Sequence, residues 1–230
     1  MGIVFSPSNL STHVQCPRKF WGQSISKTLK WKASQQKSRG ILVHNTLEKA
    51  MKEGWDAVKS WPDGMDMDFV RQQVALARNL VAAGMQCYIE HEMCVNAKGE
   101  PVDWWDENGF MRAKADTLLM VENDSLPAFL IDLKTGKKWD DDDFQLRMEA
   151  YITHLHYQRP VVQYAYWYVD SGETATGLID FRNGLDPVQD IIDAVRDAQQ
   201  DMNANDFPPK KNRFCKWCGF YNTPECGLGY

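Results

Sequence analysis

Ile131-Asp132-Leu133-Lys134-Thr135-Gly136-Lys137 is the stretch on which the reading of this chain turns. It closes an apolar run, Leu126 to Leu133, that follows the turn signal Asn123-Asp124 and reads as a β-strand. Side chains alternate along a strand, so Asp132 and Lys134 project to the same face, two positions apart. A carboxylate and an ammonium are thereby held together, and Asp116 lies on an earlier strand. Phosphodiester hydrolysis needs a divalent cation to neutralise phosphate and acidify a bound water, plus a cationic group to position that water. Asp116, Asp132 and Lys134 can supply those parts. Mg²⁺ prefers hard oxygen ligands at about 2.0–2.1 Å, and a bound ion is the simplest way to keep two neighbouring carboxylates ionised. The same D-x-K element also occurs as an ordinary exposed ion pair.

Working outward, Cys87 to Val95 and Phe110 to Met120 read as strands that form an antiparallel meander with the first, turning at Lys98-Gly99. Upstream the period is helical. A helix is expected over residues 7 to 25, capped by Ser6 with Pro7 at the first position, and a second runs from Gly40 to Met51 with Val43, Leu47, Ala50 and Met51 on one stripe. A third spans 66 to 84, with Val70, Val74, Ala77 and Val81. Downstream, a helix over about 141 to 157 carries Phe144, Met148, Tyr151 and Leu155. Val161 to Val169 and Thr174 to Phe181 form a strand pair around Ser171-Gly172. Asp186-Pro187 opens a last helix with Val188, Ile191, Ile192 and Val195 inward. After Phe207-Pro208-Pro209 the chain becomes a short cysteine-rich tail. The expected class is α+β: an N-terminal helical region (1–86), a mixed central sheet flanked by helices (87–206) and a tail (207–230), all in one compact domain.

Apolar residues make up 43% and charged residues 25% of the 230 positions, which excludes disordered and fibrous classes. No apolar run approaches the roughly 18 residues that span a bilayer, and Met1 to Asn9 lacks a secretory layout. A cytoplasmic protein without a membrane partner is expected. Six cysteines then argue for metal ligation or free thiols over disulfides. The net charge of −5 disfavours a broadly basic nucleic-acid surface, but local clusters exist: Lys27, Lys30, Lys32, Lys37 and Arg39 near the first helices, and Lys210, Lys211, Arg213 and Lys216 near the end. The acid gathers at Asp140 to Asp143.

Cys215-x2-Cys218-x7-Cys226 offers three clustered thiolates, and Cys16, in Cys16-Pro17-Arg18-Lys19-Phe20, is a fourth. Zinc and an iron-sulfur cluster both accept four thiolates, and spacing alone leaves the choice open. Cys87 and Cys94 read as buried free thiols. Trp21, Trp31 and Trp217 are candidates for stacking on bases, although tryptophans are more often buried.

The Asp132 segment resembles the D-x-K-T-G strand of the RecB-like PD-(D/E)XK nuclease family, and Ala113-Lys114-Ala115-Asp116 resembles its G-x-x-D strand, with Ala113 in place of glycine. Gly40-Ile41-Leu42-Val43-His44 is similar to that family's G-x-x-x-H helix. The resemblance implies a restriction-endonuclease-like core in which His44, Asp116, Asp132 and the Leu133 carbonyl hold Mg²⁺ or Mn²⁺ while Lys134 orients or deprotonates the attacking water. Gln145 matches the glutamine of the following helix; Glu149 stands where the family has tyrosine, and Tyr151 lies about 120° around the helix from Gln145. Glu92 is a further candidate as an outer acid. The cysteine layout is similar to the branch containing AddB-type nuclease domains, CRISPR-associated Cas-four-type exonucleases and phage relatives, which implies a structural [4Fe-4S] cluster on Cys16, Cys215, Cys218 and Cys226. Such a cluster would close a loop of about 200 residues, worth roughly 5 kcal/mol on a chain-entropy estimate, and would draw the two basic clusters into a collar around DNA.

The function so implied is a metal-dependent deoxyribonuclease, an exonuclease sooner than an endonuclease, acting on single-stranded DNA or DNA ends. Recombination, repair or CRISPR-type proteins are implied partners, and a bacterial, archaeal or phage origin is implied. The rivals are a non-catalytic DNA-binding or scaffold subunit that keeps a four-cysteine site, and a zinc protein with an unrelated hydrolase site.

Overall fold

A computed structural model describes residues 3–29, 35–136 and 143–228. Lys30, Trp31, Lys32, Lys137 and the acidic run Asp140, Asp141 and Asp142 lie outside the described residues, as does the side chain of Lys37.

Ser6 caps helix α1 (Pro7–Gln15) through a reciprocal pair of bonds with Asn9. The helix expected to run on to residue 25 breaks at Cys16, which is extended at φ −166° and ψ 108°. Pro17 is the cause: its ring disfavours helical backbone at the preceding residue. A short α2 (Pro17–Phe20) and a π-turn (Trp21–Ile25) follow. Helix α3 is Gln35–Glu53, longer at its start than the apolar stripe indicated, and α4 is Met67–Ala82 with Asp66 accepting from the Phe69 amide.

Strands β1 (Gln86–Asn96), β2 (Pro101–Val102), β3 (Gly109–Met120), β4 (Ala128–Lys134), β5 (Val161–Tyr168) and β6 (Glu173–Asp180) form one mixed sheet in the order β2-β1-β3-β4-β5-β6. The expected antiparallel meander is present as β1-β3-β4, and β4 pairs with β5 in parallel across helix α5 (Phe144–Tyr157). Helix α6 is Gln189–Ala204; Asp186 and Pro187 form a separate 3₁₀ turn ahead of it, with Leu185 rather than Asp186 in the cap position.

Helices cover both faces of the sheet. On one, Leu10, Phe20, Leu146, Met148, Ile152 and Ile191 pack on Met93, Leu118, Leu130 and Val162. On the other, Val43, Leu47, Val70 and Val74 pack on Leu119, Ile131, Leu133 and Trp167. Each such large side chain, fully buried, contributes about 1.5–3 kcal/mol. Because α5 lies between the sheet and the other helices of its layer, its buried set (Leu146, Met148, Ala150, Ile152) is wider than the expected stripe, and Phe144, Tyr151 and Leu155 are only partly buried.

The alternation of β1 and β3 inverts at one point. Met111, Ala113 and Ala115 face the α5 layer at odd numbers, whereas Leu118 and Met120 do so at even ones. On β1, Met93 and Val95 face that layer, but so does Tyr88, while Ile89 faces α3 and α4. The flips coincide at Glu90, where φ is +53°, in the register position facing Asp116. Non-glycine residues rarely adopt this backbone, and such outliers gather at functional sites.

Candidate active site

The β3–β4 ladder stops at Thr117 opposite Ile131, and beyond it side chains take over the pairing. Asp116 Oδ2 accepts from the Leu133 amide at 2.8 Å, and His44 Nε2, reaching in from α3, donates to the Leu133 carbonyl at 2.9 Å. The other ring nitrogen of His44 lies 3.4 Å from Asp116 Oδ1. Gly136, at φ +120°, supplies the backbone that only glycine adopts readily as the chain leaves β4.

His44, Glu90 and Asp116 each bring a ligand atom within 4.8 Å of the others, which makes this a group able to hold a metal ion. Glu90 was absent from the residues singled out in the sequence. Its neighbour Glu92 is exposed and does not join the group, because the flipped backbone at Glu90 turns that carboxylate, and not the next acid, toward His44. Lys114 steadies Glu90 with a 2.6 Å ion pair.

Asp132, Lys134 and Gln145 assemble on the opposite side of β4, beneath α5. Lys134 Nζ lies 2.8 Å from Asp132 Oδ2 and donates to Gln145 Oε1 at 2.9 Å. The Gln145 amide donates to Asp132 Oδ1 at 2.6 Å and to Glu149 Oε1 at 2.9 Å. The Tyr166 ring sits 5.1 Å under the ammonium. Despite its short ion pair, Asp132 Oδ2 is buried without an aligned hydrogen bond. Asp132 is therefore near the His44 group without being one of its three members. Tyr151 plays no part here; it stacks on Phe181.

Burial raises the Asp132 carboxyl to about 6, with the Asp116 charge adding to the rise and Lys134 opposing it. Glu149, fully enclosed, is pushed well above the usual carboxylate range by burial and then by Asp132. Burial pulls His44 and Lys134 down, but their carboxylate partners outweigh it: Asp116 raises the imidazole and Asp132 raises the ammonium. Acid is thus crowded together in a desolvated pocket short of positive charge.

Cys16, Cys215, Cys218 and Cys226 line one cavity of about 270 Å³. The extended backbone before Pro17 places Cys16 beside the tail. The Lys210 amide approaches its sulfur at 3.4 Å, and the Asn212 amide approaches the Cys215 sulfur at 3.2 Å. Among the described residues, no three of these sulfurs lie within 4.8 Å of one another. Phe220 packs so closely over Gly22 that a β-carbon there would fall 2.3 Å from the ring. Cys94 is buried as expected, whereas Cys87 is only half-buried. Trp21 packs against Phe220, and Trp217 is 69% exposed.

The family model for the PD-(D/E)XK nuclease superfamily matches residues 4–223, and the chain belongs to that superfamily. Its mixed six-stranded sheet with flanking helices is the PD-(D/E)XK fold. Among solved structures, that of SSO0001 is similar with a TM-score of 0.46 and 16% identity, over 98% of this chain and 88% of the other. An alkaline exonuclease from Laribacter hongkongensis is similar with a TM-score of 0.37 and 11% identity, over 88% of this chain and 89% of the other. No curated protein sequence matches the chain. Among the described residues, no helix is long and apolar enough to cross a membrane.

Proposed function

We propose that this chain is a Mg²⁺- or Mn²⁺-dependent deoxyribonuclease, an exonuclease acting on single-stranded DNA or DNA ends, with a structural [4Fe-4S] cluster. The observation that carries the nuclease reading is the end of the β3–β4 ladder, where His44, Asp116 and Glu90 form one group, His44 and Asp116 bond the Leu133 carbonyl and amide, and Asp132 and Lys134 pair on the other side of β4. The donors fit a hard divalent ion: carboxylate oxygens, one carbonyl and one imidazole, with the buried Asp132 Oδ2 met by the Lys134 ammonium without an aligned hydrogen bond.

His44, Asp116, Asp132 and the Leu133 carbonyl would hold the ion, and Glu90 joins them. When bound, the ion neutralises the scissile phosphate and acidifies a water. Lys134 would orient or deprotonate the attacking water and face the phosphate charge. Gln145 fixes Lys134 and Asp132 relative to each other by bonding both. Glu149 holds the far end of that amide.

Cys16, Cys215, Cys218 and Cys226 would hold the cluster. Four thiols lining one cavity suit a group held by four thiolates, and the choice of an iron-sulfur cluster over one zinc ion rests on the resemblance of the cysteine layout. Backbone amides directed at two of the sulfurs favour thiolates there.

End-labelled single and double strands incubated with Mn²⁺ or with chelator test the nuclease reading. Wild type releases nucleotides only with metal, and Lys134→Ala lowers the rate at least a hundredfold while still binding DNA. Metal-independent release, or equal rates in both proteins, contradicts it.

A further inference from the structure

The loop between β2 and β3 carries two adjacent tryptophans for which packing gives no account. Trp105 is 83% exposed, the most exposed large apolar side chain among the described residues, and Trp104 meets it edge to face at 6.3 Å. An indole carries a large apolar area that burial would remove from water, and neighbouring exposed rings mark binding surfaces more often than single ones do. Here the pair is held in place. Arg112 lies 4.7 Å over the Trp104 ring and 5.6 Å over that of Trp105. The Arg112 amide is tied to the Phe5 carbonyl, and the loop closes with Asp106 bonding Asp103 and Gly109 bonding Asp106. A β-carbon at Gly109 would lie 3.0 Å from Cys94 Sγ, so the turn packs against the sheet through that glycine.

Trp104 and Arg112 line a groove of about 540 Å³ along α1 that ends at Gln145 and Glu149 of the candidate active site. Ser11, Gln15 and Lys19 line its outer side, and Gln15 and Lys19 also border the cysteine cavity. The groove thus offers a guanidinium, ammonium groups, hydroxyls and the Trp104 indole, with Trp105 packed against that ring. That combination suits one ligand chemistry, a phosphodiester backbone with unpaired bases, because stacking needs bases that are not already stacked and paired in a duplex.

We propose that Trp104 and Trp105 form a base-stacking platform that holds an unpaired nucleic acid segment, its backbone against Arg112 and Lys19, at the mouth of the groove leading to Gln145. This rests on the nuclease reading and adds to it the side chains that select unpaired substrate. A stacked base contributes enough binding energy that its loss weakens affinity about tenfold.

The test compares fluorescein-labelled dT20 with an abasic 20-mer of the same phosphate backbone, by anisotropy with Ca²⁺ in place of Mg²⁺. Trp104→Ala and Trp105→Ala each weaken dT20 binding about tenfold and leave abasic binding unchanged, while Trp105→Tyr retains dT20 affinity; thermal melts establish that the variants are folded. Unchanged dT20 binding in the folded alanine variants, or equal losses for dT20 and the abasic strand, overturns the platform. Failure of the nuclease reading shows separately, as absence of Mn²⁺-dependent product release by the wild type.

Discussion

At Asp132, burial and the neighbouring Asp116 work against ionisation, and Lys134 and His44 oppose them. Without metal, its folded pKa of about 6 lies above the unfolded value near 3.9, so the folded state keeps the extra proton between those limits. This carboxyl therefore costs stability as pH rises through about 6, and a divalent ion, which binds the ionised form, offsets that cost. The rise in Tm caused by Mn²⁺ should be full above about pH 7 and fade as pH falls through about 6. His91 and His156, whose pKa values burial lowers, titrate with and without metal and cancel in that difference. A metal-induced shift that does not change between pH 5 and 8 would refute this account of Asp132. Glu90 makes a second prediction at the same scale. Glu90→Gln should weaken Mn²⁺ affinity at least tenfold by calorimetric titration, as expected when an acid beside a metal is neutralised. No periodicity could have revealed Glu90, because alternation gives Glu90 and Glu92 the same face and only the left-handed backbone separates them.

Elements, by contrast, were largely legible. The β1-β3-β4 meander, the strand pair after α5 and the two helices over the far face followed from periods of two and 3.6. His44, Asp116, Leu133, Asp132, Lys134 and Gln145, read from motifs, do come together at the end of β4, although in two linked groups. The misreadings were local. The first helix was expected from its Ser6 cap and Pro7 to run on through Cys16, although Pro17 disfavours helical backbone there. That break matters, since it turns Cys16 toward Lys210 and the tail. Pro17→Ala should let α1 run on and carry the sulfur away from the other three. Under the proposed cluster, anaerobically purified variant protein should then hold under half the wild-type iron; full iron content would show that the break is incidental.

For the whole molecule, the two ends of the chain meet. The Lys210 ammonium bonds the Val14 carbonyl, Asn212 bonds that of Gln15, and Phe220 covers Gly22. Contacts this far apart in sequence are invisible to local patterns, and only the four cysteines hinted at them. The proposed cluster would restrain the unfolded chain over about 200 residues, an effect of roughly 5 kcal/mol. The proposed cluster predicts broad visible absorbance in anaerobically purified protein, which Cys226→Ser should lose while melting about 10–20 °C lower. Retention of both colour and Tm would remove Cys226 from the ligand set.

The central claim is that one divalent ion sits where the β3–β4 ladder ends. Anomalous diffraction from crystals grown with Mn²⁺ tests it most directly. The account predicts a manganese peak in contact with His44, Asp116, Asp132 and the Leu133 carbonyl, with Glu90 alongside. A fully described site with no peak, or manganese bound only elsewhere, would contradict it.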